Sequence, residues 1–248
     1  MKFQQFIDDA LAQDFSGWDF SYLRGRWSED KPPWDYAQIV KQRLSGVNTL
    51  LDMGTGGGER LSSFAPLPPR TYATEAYPPN VPVAHNRLKP LGVTVVQIKH
   101  DDALPFAEAT FDLVMNRHES YDARELYRIL KPGARFVTQQ VGDQHNARLN
   151  AVIEGRKPDS HWNLSGEIEQ LKRSGFEIVD GQEAFPELRF HDIGAVVFYL
   201  KVVSWQIADF SVEKYREQLL EIHRMIERDG YFAVPTHYFL IEVVKPGG

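Results

Sequence analysis

The chain has 248 residues, enough for one large α/β domain or a domain with a lid, but short for two full domains. Its 34 acidic and 28 basic residues give a net charge of −6, which argues against broad electrostatic binding of nucleic acid. Cysteine is absent, which excludes disulfides, thiolate metal sites and a cysteine nucleophile. The acidic N-terminus and the short apolar runs predict neither a signal peptide nor a membrane span, so we expect a cytoplasmic protein.

Residues 1–46 predict an N-terminal helical cover. Apolar residues recur there at helical spacing in two places, which indicates two helices. The first set is Phe3, Phe6, Ile7 and Leu11, and the second is Tyr36, Ile39, Val40 and Leu44. Aromatic residues gather in and beside the turn-rich segment between them, and we expect these residues to pack as part of the cover. They are Trp18, Trp27, Trp34 and Tyr36.

Strands and helices alternate over residues 47–184. The predicted strands are residues 49–53, 70–75, 93–98, 111–116, 134–141 and 176–180. A predicted helix follows the first strand, and others span residues 79–91, 123–130 and 164–174. This alternation indicates βαβ units, whose right-handed crossovers give a mostly parallel, doubly wound sheet with helices on both faces.

The alternation stops after residue 184. Two sets of apolar residues at helical spacing follow, within residues 193–203 and 212–226, with no predicted strand between them. Asp192 is expected to cap the first of these helices. Residues 185–235 are therefore predicted to form a helical insertion, a lid over the ligand edge of the sheet. A seventh strand, residues 238–244, then completes the α/β core within residues 236–248.

A glycine-rich turn follows the first strand of the core. Asp52 precedes glycines at positions 54, 56 and 58, which permit positive φ and a close approach of a ligand to the backbone. Glu59 stands where the dinucleotide-binding fingerprint has its third glycine, and a carboxylate there would repel a pyrophosphate. The turn therefore suits a ligand that has an amino group and no phosphate.

The pattern Asp52-x-Gly54-x-Gly56-x-Gly58 resembles the first motif of the class I S-adenosylmethionine-dependent methyltransferases, and the resemblance covers roughly residues 47–142. It implies a Rossmann-like fold with S-adenosylmethionine as cofactor. The residues that it assigns to cofactor binding are Asp52, Gly54, Thr55, Gly56, Gly58, Glu75, Ala76, Asp101, Asp102, Ala103, Asn116 and Arg117.

Two acidic segments support this resemblance. Glu75 ends the second strand 21 residues after Gly54, where the family has an acid that binds the ribose hydroxyls. Asp101 and Asp102 follow the third strand, where the family has an acid that meets the adenine amino group. The spacing leaves open which of the two does so.

The segment Asn116-Arg117-His118-Glu119 follows the fourth strand, where the family's loop lines the cofactor and faces the acceptor. It lacks the Asn/Asp-Pro-Pro-aromatic motif of members that methylate exocyclic amines, which disfavours methylation of nucleic-acid bases. The segment is similar to that of an uncharacterised bacterial subgroup of methyltransferase domains. His118 is the predicted general base for a protonated acceptor, because histidine titrates near neutral pH, and Glu119 is predicted to orient it.

The predicted function is in-line transfer of a methyl group from S-adenosylmethionine to a small-molecule acceptor, with no nucleic-acid or membrane partner. No metal is expected, because the histidines form no zinc-binding pattern. Three alternatives stay open: an NAD-type nucleotide-dependent oxidoreductase, which Glu59 disfavours; a non-catalytic, cofactor-binding regulatory protein; and an RNA methyltransferase, which the net charge disfavours. The sequence does not indicate an oligomeric state.

Overall fold

A computed structural model describes residues 3–15, 19–155 and 162–247, so Trp18 lies outside the described residues. The strands are β1 (Trp27–Glu29), β2 (Thr49–Met53), β3 (Arg70–Glu75), β4 (Thr94–Gln97), β5 (Phe111–Arg117), β6 (Leu130–Val141), β7 (Glu177–Ala184), β8 (Glu187–Phe190), β9 (Phe232–Pro235) and β10 (Tyr238–Val244). The helices are α1 (Phe3–Ala12), α2 (Tyr36–Arg43), α3 (Glu59–Ser62), α4 (Asn80–Leu88), α5 (Ala123–Ile129), α6 (Ala147–Glu154), α7 (Leu164–Arg173), α8 (Ile193–Val202) and α9 (Arg216–Asp229). Two short 3₁₀ helices span Ser21–Leu23 and Lys89–Leu91.

The chain divides into two compact units, each built from three segments. The first unit comprises the described parts of residues 1–32, 143–160 and 184–237, and the second those of 33–142, 161–183 and 238–248. Residues 33–46, which the sequence groups with the N-terminal cover, cluster with the second unit. The functional division at residues 46, 184 and 235 stays a prediction.

The second unit contains a seven-stranded sheet in the order β4-β3-β2-β5-β6-β10-β7. Neighbouring strands from β4 to β6 are parallel, and β10 runs antiparallel to β6. The predicted doubly wound, mostly parallel sheet is thereby confirmed. The strand order reverses between β2 and β5, and ligands of open α/β sheets bind at the carboxyl ends of strands beside such a reversal.

The central strands are buried because helices cover both faces of the sheet. Every residue of β2 is buried, and Leu50 and Leu51 on its opposite faces have no exposed surface. Such strands appear in the sequence as continuous apolar runs. This property explains why β2 and β10 have the predicted bounds.

The first unit contains a small antiparallel sheet in the order β1-β8-β9, together with α1, α6, α8 and α9. All residues from 193 to 200 of α8 are buried, as expected for a helix that is apolar on every side. Asp192 caps this helix, because its carboxylate accepts a hydrogen bond from the Ala195 N–H at 2.9 Å. The predicted cap is therefore confirmed.

Some predicted bounds in both units are wrong. Residues 185–235 are not purely helical, because β8 and β9 flank the helical pair. Each has four residues, too few for their alternation of buried and half-buried positions to be recognised as a strand. The strand predicted from residue 134 begins at Leu130, and α6 was not predicted. Within the described ranges, no helix is both long and apolar enough to cross a membrane.

Candidate functional site

The glycine turn lies between β2 and α3, and its three alternate glycines all have positive φ, of 65°, 59° and 82° for Gly54, Gly56 and Gly58. At two of these positions, Gly54 and Gly58, a side chain would overlap a neighbouring residue. A Cβ on Gly54 would overlap the Glu119 side chain, and one on Gly58 would lie 2.7 Å from Leu88 Cγ. A Cβ on Gly56 would meet no atom within 4 Å, so this glycine borders open space that a ligand can enter.

Asp52 lies beneath the turn with only 5% of its surface exposed. Its Oδ2 accepts a hydrogen bond from Thr55 Oγ1 at 2.7 Å. Burial raises the pKa of Asp52 to about 7, the hydrogen bond from Thr55 opposes this shift, and the charge of Glu75 adds to it. A cationic group bound here would stabilise the ionised carboxylate.

Glu75 is the last residue of β3 and is also 5% exposed. Its Oε1 accepts a hydrogen bond from the Tyr77 N–H at 2.7 Å, which fixes the carboxylate at the end of the strand. Ala76 and Tyr77 are exposed beside it. The acid predicted to bind ribose therefore lies at the carboxyl edge of the sheet with its orientation set by the backbone.

An open cleft of about 410 Å³ adjoins the strand ends of the second unit. Its lining residues are Ala76, Lys99, His100, Asp101, Asp102, Glu119, Ser120, Tyr121 and Asp122. Asp101 accepts a hydrogen bond from Ser120 Oγ at 2.6 Å, whereas Asp102 and Ala103 are exposed. Because both aspartates line the cleft, the choice of adenine partner stays open.

An ion pair on α5 holds the loop that follows these aspartates. Glu125 accepts a hydrogen bond from the Leu104 N–H at 2.7 Å, and Arg128 donates to the Phe106 carbonyl at 2.8 Å. The two side chains also pair with each other, at 2.6 Å. Sequence reasoning missed this pair, although an acid and a base three positions apart on a helix are a known stabilising pattern.

Asn116 is fully buried at the end of β5. Its Oδ1 accepts hydrogen bonds from Gln140 Nε2 at 2.7 Å and from Thr138 Oγ1 at 3.1 Å, and its backbone carbonyl accepts one from the Tyr36 hydroxyl at 3.0 Å. These contacts tie β5 to β6 and to α2. The described contacts of the amide are thus with protein groups, and its predicted contact with a cofactor stays a prediction.

Arg117 is half-buried beside this hub. Burial raises the pKa of the Tyr36 hydroxyl. The negative charge of Asp52 adds to this shift, and the positive charge of Arg117 opposes it. Arg117, Asp52 and the Tyr36 hydroxyl therefore share one electrostatic environment.

The two predicted catalytic residues, His118 and Glu119, come directly after Arg117 in the sequence. His118 is exposed, with a positive φ of 61°, and its N–H donates to the Gln139 carbonyl at 2.9 Å. Glu119 is half-buried beside Gly54. Burial raises the pKa of Glu119, and the charges of Asp101 and Glu75 add to the shift. The structure thus brings Glu119 towards both the glycine turn and the cleft.

All predicted site residues belong to the second unit, at or after the carboxyl ends of β2, β3, β4 and β5. Polar residues on β6 that had no predicted role also contribute, namely Thr138, Gln139 and Gln140, all buried. Three consecutive polar residues on a central strand were the available signal. Among the described residues, no three histidine, aspartate or glutamate side chains gather in a way that could hold a metal ion.

Residues 51–138 match the family model of a methyltransferase domain. This region of the chain is similar to methyltransferase domains, as the glycine motif predicted. This match spans β2 to β6 and therefore includes the glycine turn and the loop after β5. The family resemblance inferred from the glycine motif is confirmed.

The chain is also similar to three methyltransferases in sequence or in fold. A protein-L-isoaspartate O-methyltransferase of Alcanivorax borkumensis is 32% identical over 145 residues, 56% of this chain and 65% of that protein, so this chain spans less than two thirds of its length. The structure of a candidate methyltransferase of Bacillus halodurans has a TM-score of 0.62 at 20% identity, covering 86% of this chain and 99% of that one. Geranyl diphosphate methyltransferase, solved in complex with S-adenosylmethionine, has a TM-score of 0.50 at 17% identity, with 84% of each chain covered. At such identities the structural likeness shows the fold alone.

Proposed function

We propose that this protein transfers the methyl group of S-adenosylmethionine to a small-molecule acceptor. The observation that carries the proposal is the open space at Gly56 together with the buried carboxylate of Asp52 in the same motif, and the pKa of this carboxylate is raised to about 7. A glycine turn of this kind lets a ligand approach the backbone closely. The nearby carboxylate then favours a ligand with an ammonium group.

The remaining residues have complementary roles in this proposal. Glu75 would accept hydrogen bonds from the ribose hydroxyls. The loop containing Asp101, Asp102 and Ala103 would bind the adenine. S-adenosylmethionine supplies an activated methyl group when bound, so the protein mainly aligns the reactants and excludes water. His118 and Glu119, after β5, would face the acceptor.

The charge of the site supports a cationic ligand. Asp52 and Glu119 both have raised pKa values, and Glu75 contributes to each shift. A sulfonium with an adjacent ammonium would relieve this repulsion, whereas a dinucleotide pyrophosphate would increase it. This electrostatic pattern favours S-adenosylmethionine over the NAD-type alternative.

The acceptor has two candidates. The net charge and the absence of an Asn/Asp-Pro-Pro-aromatic motif favour a small molecule over nucleic acid. A protein carboxylate is the second candidate, because the relative from Alcanivorax borkumensis acts on isoaspartate in proteins. Transfer of radiolabelled methyl groups to a panel of small amines, alcohols and acids, compared with an isoaspartyl peptide, separates the two. The cytoplasmic location stays a prediction.

The binding test uses a matched pair of glycine substitutions. Gly56→Val should abolish calorimetric binding of S-adenosylmethionine and S-adenosylhomocysteine. Gly46→Val should preserve it, because Gly46 has a similar positive φ of 77° with no atom within 4 Å of its Cβ position, but precedes β2 at the opposite end of the strand.

Three outcomes contradict the proposal. Unimpaired binding in the Gly56→Val variant would place the cofactor elsewhere. Binding of NADH without binding of either sulfur-containing ligand would favour an oxidoreductase. Tight binding of S-adenosylmethionine without methyl transfer to any member of the panel would favour the regulatory alternative.

A further inference from the structure

A chain of hydrogen bonds joins Trp34, just before α2, to β6 and to the loop after β5. The indole Nε1 of Trp34 lies 2.9 Å from Gln139 Oε1, and Gln139 Nε2 lies 3.1 Å from Nε2 of His118. Trp34 and Gln139 are 8% and 5% exposed, so water has little access to the first bond. Such buried polar chains are stable when each donor faces an acceptor.

The chemistry of Trp34 fixes the direction of the whole chain. An indole N–H only donates, so the group of Gln139 that faces it must be the amide oxygen. The amide nitrogen then faces His118, and an amide nitrogen also only donates. His118 Nε2 must therefore accept with its lone pair, which leaves the proton of the neutral ring on Nδ1. A doubly protonated ring would set two donors against each other.

The backbone and the packing hold the His118 ring in this place. The φ of 61° is rare for a residue other than glycine, and such strain persists only where the surroundings impose it. The His118 N–H is fixed to the Gln139 carbonyl at 2.9 Å. Tyr238 stacks on the imidazole, with ring centroids 5.8 Å apart and an interplanar angle of 16°. Strained residues at the ligand edge of a sheet are often functional.

We propose that Trp34 and Gln139 are positioning residues that hold His118 in its neutral form with the proton on Nδ1. Because the Gln139 amide occupies the lone pair of Nε2, His118 then does not remove a proton from the acceptor in methyl transfer. The acceptor class that fits is one with a lone pair ready at neutral pH, such as a carboxylate, which needs no base. The role towards the acceptor rests on the proposed function, whereas the protonation of the ring does not.

The test is nitrogen NMR of protein labelled with ¹⁵N-histidine, which reports which ring nitrogen carries the proton. The His118 signals are identified by their loss in His118→Gln. We expect a protonated Nδ1 and an unprotonated Nε2 in the wild type. In Gln139→Glu the two nitrogen signals should exchange character, because a carboxylate accepts from both Trp34 and His118 and draws the proton to Nε2.

Two further variants keep the inference testable if Gln139→Glu does not fold. Trp34→Phe removes the donor that orients the amide, so the two tautomers should become mixed. Tyr36→Phe is the matched control: it removes a buried hydrogen bond to the Asn116 carbonyl and leaves the chain from Trp34 intact, so Nδ1 should stay protonated.

Clear results would overturn the inference. A proton on Nε2 in the wild type, or an unchanged proton position in both Gln139→Glu and Trp34→Phe, would show that the chain does not set the tautomer. Calorimetry with S-adenosylmethionine on the same samples tests the proposed function separately. Wild-type protein with the proton on Nδ1 but without cofactor binding would refute the function and leave the positioning role standing.

Discussion

The raised pKa of Asp52 makes the stability of the protein depend on pH in a predictable direction. The carboxylate is buried in the folded protein with a pKa of about 7, against 3.8 for an aspartate in water. The folded state therefore binds this proton more tightly than the unfolded state does. The resulting stabilisation is fully present below pH 3.8 and is lost as the pH rises through 7.

Asp52→Asn removes this titration and still offers an oxygen to the Thr55 hydroxyl. One unit of difference between the folded and unfolded pKa values corresponds to about 1.4 kcal/mol of stability. Most of this stability is lost between pH 5 and pH 7. The free energy of unfolding of the wild type should thus fall by about 3 kcal/mol relative to Asp52→Asn between pH 5 and pH 8. Groups that titrate equally in both proteins cancel in this difference.

Urea unfolding in the absence of ligand, at pH 5, 6, 7 and 8, measures the difference. Asp102→Asn is the control, because it changes the net charge equally at an exposed side chain. Its difference from the wild type should vary little with pH. A difference between the wild type and Asp52→Asn that is also constant from pH 5 to pH 8 would refute the reasoning, since a solvated carboxylate gives that result.

Three further predictions concern the same unit. Gly58→Ala should lower the free energy of unfolding in urea by about 1–3 kcal/mol more than Gly92→Ala, because only at Gly58 does the new Cβ overlap Leu88; equal losses would contradict this. Arg128→Lys should speed amide hydrogen exchange at Leu104 and Phe106, because the lysine cannot reproduce the contacts of the guanidinium with the carbonyls of these two residues; unchanged exchange would contradict it. Glu119→Gln should weaken calorimetric binding of S-adenosylmethionine by about fivefold (~1 kcal/mol) more than that of S-adenosylhomocysteine, which lacks the sulfonium charge; an equal loss would show that Glu119 does not interact with that charge.

The main sheet could be predicted from the sequence because its central strands are apolar runs bounded by turns. β2 and β10 have their predicted bounds for this reason. The small sheet of the first unit could not be predicted. β8 and β9 have four residues each and pair across the whole helical pair, so neither periodicity nor a local turn reveals them.

The candidate site divides in the same way. The glycine turn is predictable because its residues are adjacent in the sequence and each needs the same backbone conformation. The hydrogen bond between Trp34 and Gln139 is not predictable, because the two residues are 105 positions apart and meet only in the folded chain. The direction of that bond follows from side-chain chemistry once the two groups are known to be neighbours.

The segmented construction of the two units has a consequence for synthesis and truncation. The chain passes from one unit to the other five times, and β10, which pairs with one side of the 12-residue β6, follows all three segments of the first unit. A fragment ending near residue 142 would contain the whole matched domain model, but would leave β6 as a long unpaired edge, open to pairing with other molecules. The shortest piece that carries the family signature would therefore expose this edge, and a growing chain exposes it until β10 has been synthesised.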